Sequence, residues 1–269
     1  MRRYVIVIFA FNLNWFYTID SSWTEKHLLV LFDGPDEQDR DAIWAGFLWG
    51  AQVPSEKLFA RLKAELLTFP TRPLPAQRSN DEVLAAIMLA AWAGTSAATG
   101  ERYISNTEMR SLLLSVSDEF RSRILWHAEQ WSEESDENGG RDWREILPEF
   151  IREVWPRQSA ARSSTTSARL FDIAFCSEEK FPEISELILP LLGRVDGDRL
   201  FLPELRKPES RIVDLYPEQA LALLCAVLPG DAARWPYGIE KLLKQLEDAK
   251  ADLGRDERLI SLKRRWNAR

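Results

Sequence analysis

The 269-residue chain holds only two histidines, two cysteines and three methionines, and each scarcity excludes something. Cys176 and Cys225 cannot make a disulfide framework. They suit a reducing cytosol, and a cytoplasmic location is expected. His27 and His127 stand far apart, and no HExxH or CxxC spacing occurs, so no metal is expected. The 12 glycines form neither GxGxxG nor GxxxxGK[ST], which removes the usual phosphate loops, and no cofactor is expected. No apolar run approaches the roughly 20 residues that a membrane-spanning helix needs. A chain of this size would ordinarily leave a catalytic motif to find, and this one reads as something other than an enzyme.

What is present describes a folded protein. Hydrophobic residues make up 45% and charged residues 29%, which excludes disorder and collagen-like fibre. Against 35 basic side chains stand 42 acidic ones, for a net charge of −7. That balance argues against binding nucleic acid over the whole surface, though not against a local basic stripe. Two such regions exist. Arg157, Arg162 and Arg169 occur with no acid between Arg157 and Phe171, and the C-terminus carries Lys263, Arg264, Arg265 and Arg269. Favourable cations at a helix end account for the second. The first is the candidate contact for an acidic partner or for phosphates. Asp196 and Asp198 read as a solvated turn in preference to a magnesium site.

Apolar spacing is helical almost throughout. Ser22 with Glu25 and Ser105 with Glu108 have capping-box spacing. After the first pair, Trp23, His27, Val30 and Leu31 fall on one face. Both histidines are expected to be partly buried and hydrogen-bonded, and both cysteines to pack as small hydrophobes. Ser55, Ser117 and Ser163–Ser167 offer further starts, and Pro182 sits where a first-turn proline belongs. Helices are expected over 142–155, broken only by Pro148, and around 213–228, 237–249 and 256–266. Pro70, Pro73 and Pro75 make 68–79 a connection and a possible subdivision, and 132–141 reads as a loop. Asp196-Gly197 offers either a hairpin turn or part of a connection between helices. The 11 tryptophans include Trp44 with Trp49 and Trp126 with Trp131. Members five apart lie about 140° apart around a helix and serve two neighbours.

The expected fold is therefore all-α: about a dozen helices in an irregular two-layer array. Pairs recur at about 40 residues, the period of a HEAT-like α-solenoid, though a globular helical fold gives the same pattern. Residues 22–269 form this array, after an apolar N-terminal segment, 1–21. That segment starts with Arg2-Arg3 and runs through Tyr4–Phe11, as a signal peptide would. Asn12 and Asn14 interrupt it, and no small-x-small cleavage site follows before Trp23. It is expected to be a buried strand or helix, or the cut edge of something larger.

Several phrases carry a resemblance. Asp41-Ala-Ile-Trp-Ala-Gly-Phe-Leu-Trp49, Leu147-Pro148 with Trp155-Pro156, Ala168-Arg169-Leu170, Phe181-Pro182, Leu189-Pro190 and Trp235-Pro236-Tyr237 are the phrases concerned. Together they resemble an uncharacterised helical domain family of bacteria. It commonly forms the C-terminal part of large sirtuin-like proteins associated with anti-phage defence. The resemblance implies no catalytic residue here, because NAD-cleaving chemistry in such proteins belongs to an N-terminal domain. It implies a non-catalytic interaction or regulatory module, within or beside a larger defence effector. A helical protein touching nucleic acid through its arginine stripe is the alternative. The partner would be a protein or a missing effector domain, docked on residues 4–17, or a second copy of the chain. No membrane contact is expected.

Overall fold

The computed structural model describes residues 1–71, 78–133, 143–200, 202 and 210–269, and it is all-α. Residues 72–77 of the expected 68–79 connection and 134–141 of the expected 132–141 loop lie outside these residues. Among the described residues no strand forms; one antiparallel bridge joins Thr95 to Arg102. The chain divides into two compact units, Met1–Ile124 and Leu125–Arg269.

The first unit contains α1 (Arg2–Phe11), α2 (Leu13–Ile19), α3 (Ser21–His27), α4 (Glu37–Trp49), α5 (Glu56–Thr68), α6 (Arg78–Ala93), α7 (Asn106–Ser115) and the start of α8 (Asp118–Glu133). Its core is built by Ile43 and Leu48 of α4, Leu58, Leu62 and Leu66 of α5, and Met88 and Trp92 of α6, all essentially inaccessible. Each such side chain contributes about 1.5 to 3 kcal/mol by leaving water. Trp92 Nε1 donates to Asn106 Oδ1 at 2.8 Å, joining α6 to the first residue of α7. The Arg102 guanidinium lies 4.4 Å from the centre of the same indole.

Helix starts follow side-chain chemistry. Ser105 accepts from the Glu108 N–H while the Glu108 carboxylate accepts from the Ser105 N–H at 2.8 Å, so the expected capping box forms. Ser105→Ala is expected to lower stability by about 1 kcal/mol, read as a shift in the urea midpoint with unchanged slope. Burial pushes the Glu108 carboxyl up, but its bonds to Lys63 and Ser105 outweigh this and hold it below the ordinary value of 4.5. Its contribution is complete above that value and is lost as the pH falls through the folded-state pKa.

The expected box at Ser22 does not form. Asp20 caps α3 instead, accepting from the Trp23 N–H at 2.9 Å. This carboxylate starts the helix at Ser21, two residues earlier than a Ser22 cap would, so Ser22 becomes helical. Helix α3 then stops at His27, and Leu29–Leu31 turn as a tighter 3-10 segment. The periodicity that put Trp23, His27 and Val30 on a buried face therefore fails. All three are exposed, and Thr24 and Leu28 point inward.

The second unit holds the rest of α8, α9 (Trp143–Glu149), α10 (Ser164–Cys176), α11 (Phe181–Ile188), α12 (Ile212–Leu215), α13 (Pro217–Val227), α14 (Ile239–Ala249) and α15 (Glu257–Asn267). Phe150, Phe171, Phe181, Ile188, Leu224 and Leu246 anchor its core. Pro148 stays inside α9, and the chain continues as one wider π turn, Phe150–Val154. The Trp155 N–H reaches back five residues to the Phe150 carbonyl at 2.9 Å.

The single helix expected at 213–228 is two. Tyr216 sits at φ −131°, ψ 52°, where the following Pro217 disfavours the helical conformation. The hairpin alternative at Asp196-Gly197 is not what forms: Gly197–Arg199 make one 3-10 turn. Gly197 lies so close to the Arg234 carbonyl that a Cβ there would be 1.5 Å from its oxygen.

Candidate interaction surface

The N-terminal segment is apolar on two faces, and only one of them is core. Ile6, Ala10, Leu13 and Tyr17 are buried, at helical steps of four, three and four. Tyr4, Ile8 and Phe11 of α1, with Trp15 and Ile19 of α2, repeat a similar rhythm on another side of these helices, and they face solvent. Tyr4 is 78% exposed, Trp15 58% and Ile19 63%. Trp49, at the end of α4, adds its indole at 69% exposure, with its ring centre 5.2 Å from that of Phe11. These six side chains open roughly 750 Å² of apolar surface, taking about 150–250 Å² for a whole aromatic side chain. A monomer's largest patch is ordinarily about 300–600 Å².

The buried face is held by close backbone approach. A Cβ on Gly46 of α4 would lie 2.3 Å from the Val7 carbonyl oxygen, and one on Gly50 would lie 2.8 Å from that of Phe11. Glycine at both positions of Gly46-Phe-Leu-Trp-Gly50 lets α1 settle directly on α4. Polar ties complete the attachment. Asn14 donates to the Val53 carbonyl at 3.2 Å and accepts from the Ser55 N–H at 2.9 Å. Tyr17 donates to Glu25 at 3.1 Å, and Glu25 pairs with Arg61 at 3.3 Å. Burial first, then the Glu25 contact, pushes the Tyr17 hydroxyl pKa up. Sequence reasoning singled out residues 4–17 but missed their division into two faces. The signal that carries it is the glycine pair at the end of α4, Gly46 within the helix and Gly50 just past it.

The arginine stripe does not stay together. Arg157 and Arg162 are exposed, and Arg162 donates to the Arg157 carbonyl at 3.1 Å. Arg169 turns inward, 3.4 Å from Glu129 and 3.8 Å from Asp172, both buried carboxylates. The hydroxyls around it are also committed. Ser163 caps α10, Ser164 and Ser167 accept from the Asp196 and Gly193 N–H groups at 2.9 Å, and Thr165 accepts from Arg199 at 2.8 Å. At the C-terminus Arg265 donates to the Pro229 carbonyl at 2.8 Å and Lys263 pairs with Glu247. The Asp196 carboxylate pairs with Arg234.

His127 is buried between the rings of Trp126 and Trp131, at 4.8 and 5.4 Å, whereas His27 corrects the expectation of burial by facing solvent. Cys176 is buried; Cys225 is partly so, and desolvation pushes its thiol pKa up, away from the reactive thiolate. Among the described residues no three histidine, cysteine or acidic side chains come together as a metal site would require. A cleft of about 330 Å³ in the second unit is lined by Phe175, Ile212, Leu215 and Tyr216 together with Glu178 and Arg211. Among the described residues no helix is long and apolar enough to cross a membrane.

Comparison with known proteins yields one distant relative. Over 163 residues, 60% of this chain, the sequence is 24% identical to a protein of Sinorhizobium fredii named uncharacterized protein y4cA. The chain spans about one seventh of that relative, since the matched stretch is 14% of it. No family model and no solved structure matches the chain.

Proposed function

We propose that the chain is a non-catalytic helical interaction module, working in the cytoplasm within or beside a larger bacterial defence effector. The observation that carries this reading is the second apolar face of α1 and α2. A helix that is apolar all round belongs inside an assembly, and this one is covered on one side only. The size of the Sinorhizobium relative supports a setting in which such a module is a minor part of a long protein. The defence context is carried by the phrases from Asp41–Trp49 to Trp235–Tyr237 and the family they resemble.

The test is protection against phage in cells carrying the native gene. Replacing Ile8 and Trp15 together by glutamate is expected to abolish protection while leaving the chain's abundance and helical signal unchanged. Full protection by that variant would contradict the proposal, as would turnover of a substrate by the purified chain alone.

A further inference from the structure

The exposed stripe also says what covers it. Tyr4, Ile8, Phe11, Trp15 and Ile19 follow one another at steps of four, three, four and four. Within α1 and within α2, on either side of Asn12, this is the spacing of a helix–helix seam, and the occupant it fits is another apolar helix. The stripe carries no charge along its length, but its ends differ. Arg2 and Arg3 stand at the start of α1 with most of each side chain exposed, over the buried Asp39 at 2.6 and 4.0 Å, so that end presents arginine to solvent. Asp20 stands at the end of α2. Two such stripes laid antiparallel bring each basic end against the other's acidic end and oppose their helix dipoles. The roughly 750 Å² of open apolar surface is close to the ~800 Å² that each partner buries in a stable interface.

We infer that the face is covered by a second copy of this chain, with α1 and α2 paired antiparallel about a two-fold axis beside Phe11. The inference rests on the docking reading above and names its partner. A two-fold contact is self-complementary, so one stripe serves both sides. In this register Tyr4 meets the partner copy's Ile19, Ile8 meets its Trp15, and Phe11 meets Phe11.

Light scattering on the full chain decides the stoichiometry. At about 50 to 200 μM, above the roughly micromolar-to-picomolar dissociation constants of interfaces of this size, the mass should be twice the chain's 31.0 kDa. Ile8→Glu should halve it without changing the far-ultraviolet spectrum. Disulfide trapping with diamide in a Cys225→Ser background decides the register. Phe11→Cys should cross-link to itself. Tyr4→Cys should not, but should cross-link to Ile19→Cys when the two variants are mixed.

A monomer throughout that range overturns the inference, and so does a Tyr4→Cys self-link as fast as that of Phe11→Cys. The docking reading fails separately. A monomeric chain whose Ile8→Glu, Trp15→Glu variant loses protection keeps that reading and rejects the second copy. A dimer whose disruption leaves protection intact rejects the docking reading while keeping the dimer.

Discussion

Gly46→Leu is expected to lower the stability of the first unit by about 3 kcal/mol, against the sign of helix propensity. Replacing a glycine inside an exposed helix by leucine ordinarily gains nearly 1 kcal/mol. Here the new Cβ would lie 2.3 Å from the Val7 carbonyl oxygen, 2.8 Å from the Val7 Cα and 2.7 Å from the Ala10 Cβ. Backbone atoms have no rotamer to escape into, so α1 must lift off α4, and overpacking of this kind costs about 1–3 kcal/mol or more. Lifting α1 also uncovers Ile6, Ala10, Leu13 and Tyr17. The melting midpoint should fall by roughly 10 °C, and dye binding to exposed apolar surface should rise. An unchanged midpoint would contradict the close approach of the two helices.

Arg169→Met carries the second large effect. Glu129 is wholly buried and Asp172 nearly so, and the arginine lies between them at 3.4 and 3.8 Å. Removing the cation from a buried pair costs about 3–5 kcal/mol, because the remaining charge stays out of water. The Arg169 side chain keeps 35% of its surface, so water screens part of this, and about 3 kcal/mol is expected. Arg157→Ala and Arg162→Ala, both exposed, should stay within about 0.5 kcal/mol of the native chain. Urea unfolding of the three variants checks the contrast. Equal effects at the three positions would refute the inward role of Arg169.

Much of the fold was legible because local chemistry and tertiary structure agree. Ser105 with Glu108, Ser163 and Pro182 mark helix starts through bonds made within one turn, which a sequence displays directly. The failures came where two local signals competed. Asp20 outcompeted Ser22, and the 3-10 turn at Leu29–Leu31 broke the period that His27 and Val30 were read on.

The interaction face was half legible. Residues 4–17 stood out by their lack of charge, but which side is core depends on where α4 approaches. Gly46 and Gly50 fix that approach, and nothing within α1 itself shows it. The arginine stripe misled for the same reason. Glu129, the acid that claims Arg169, lies 40 residues away in the chain.

The unfolding free energy of the double variant Ile8→Glu, Trp15→Glu, measured by urea at a protein concentration low enough to hold the chain monomeric, tests the central claim most directly. If the stripe is built for a partner, charge on it leaves the monomer within about 0.5 kcal/mol of the native chain, while Ile6→Glu on the buried face loses several times more. A double variant destabilised as much as Ile6→Glu would make the stripe part of the core, and the docking account would be wrong.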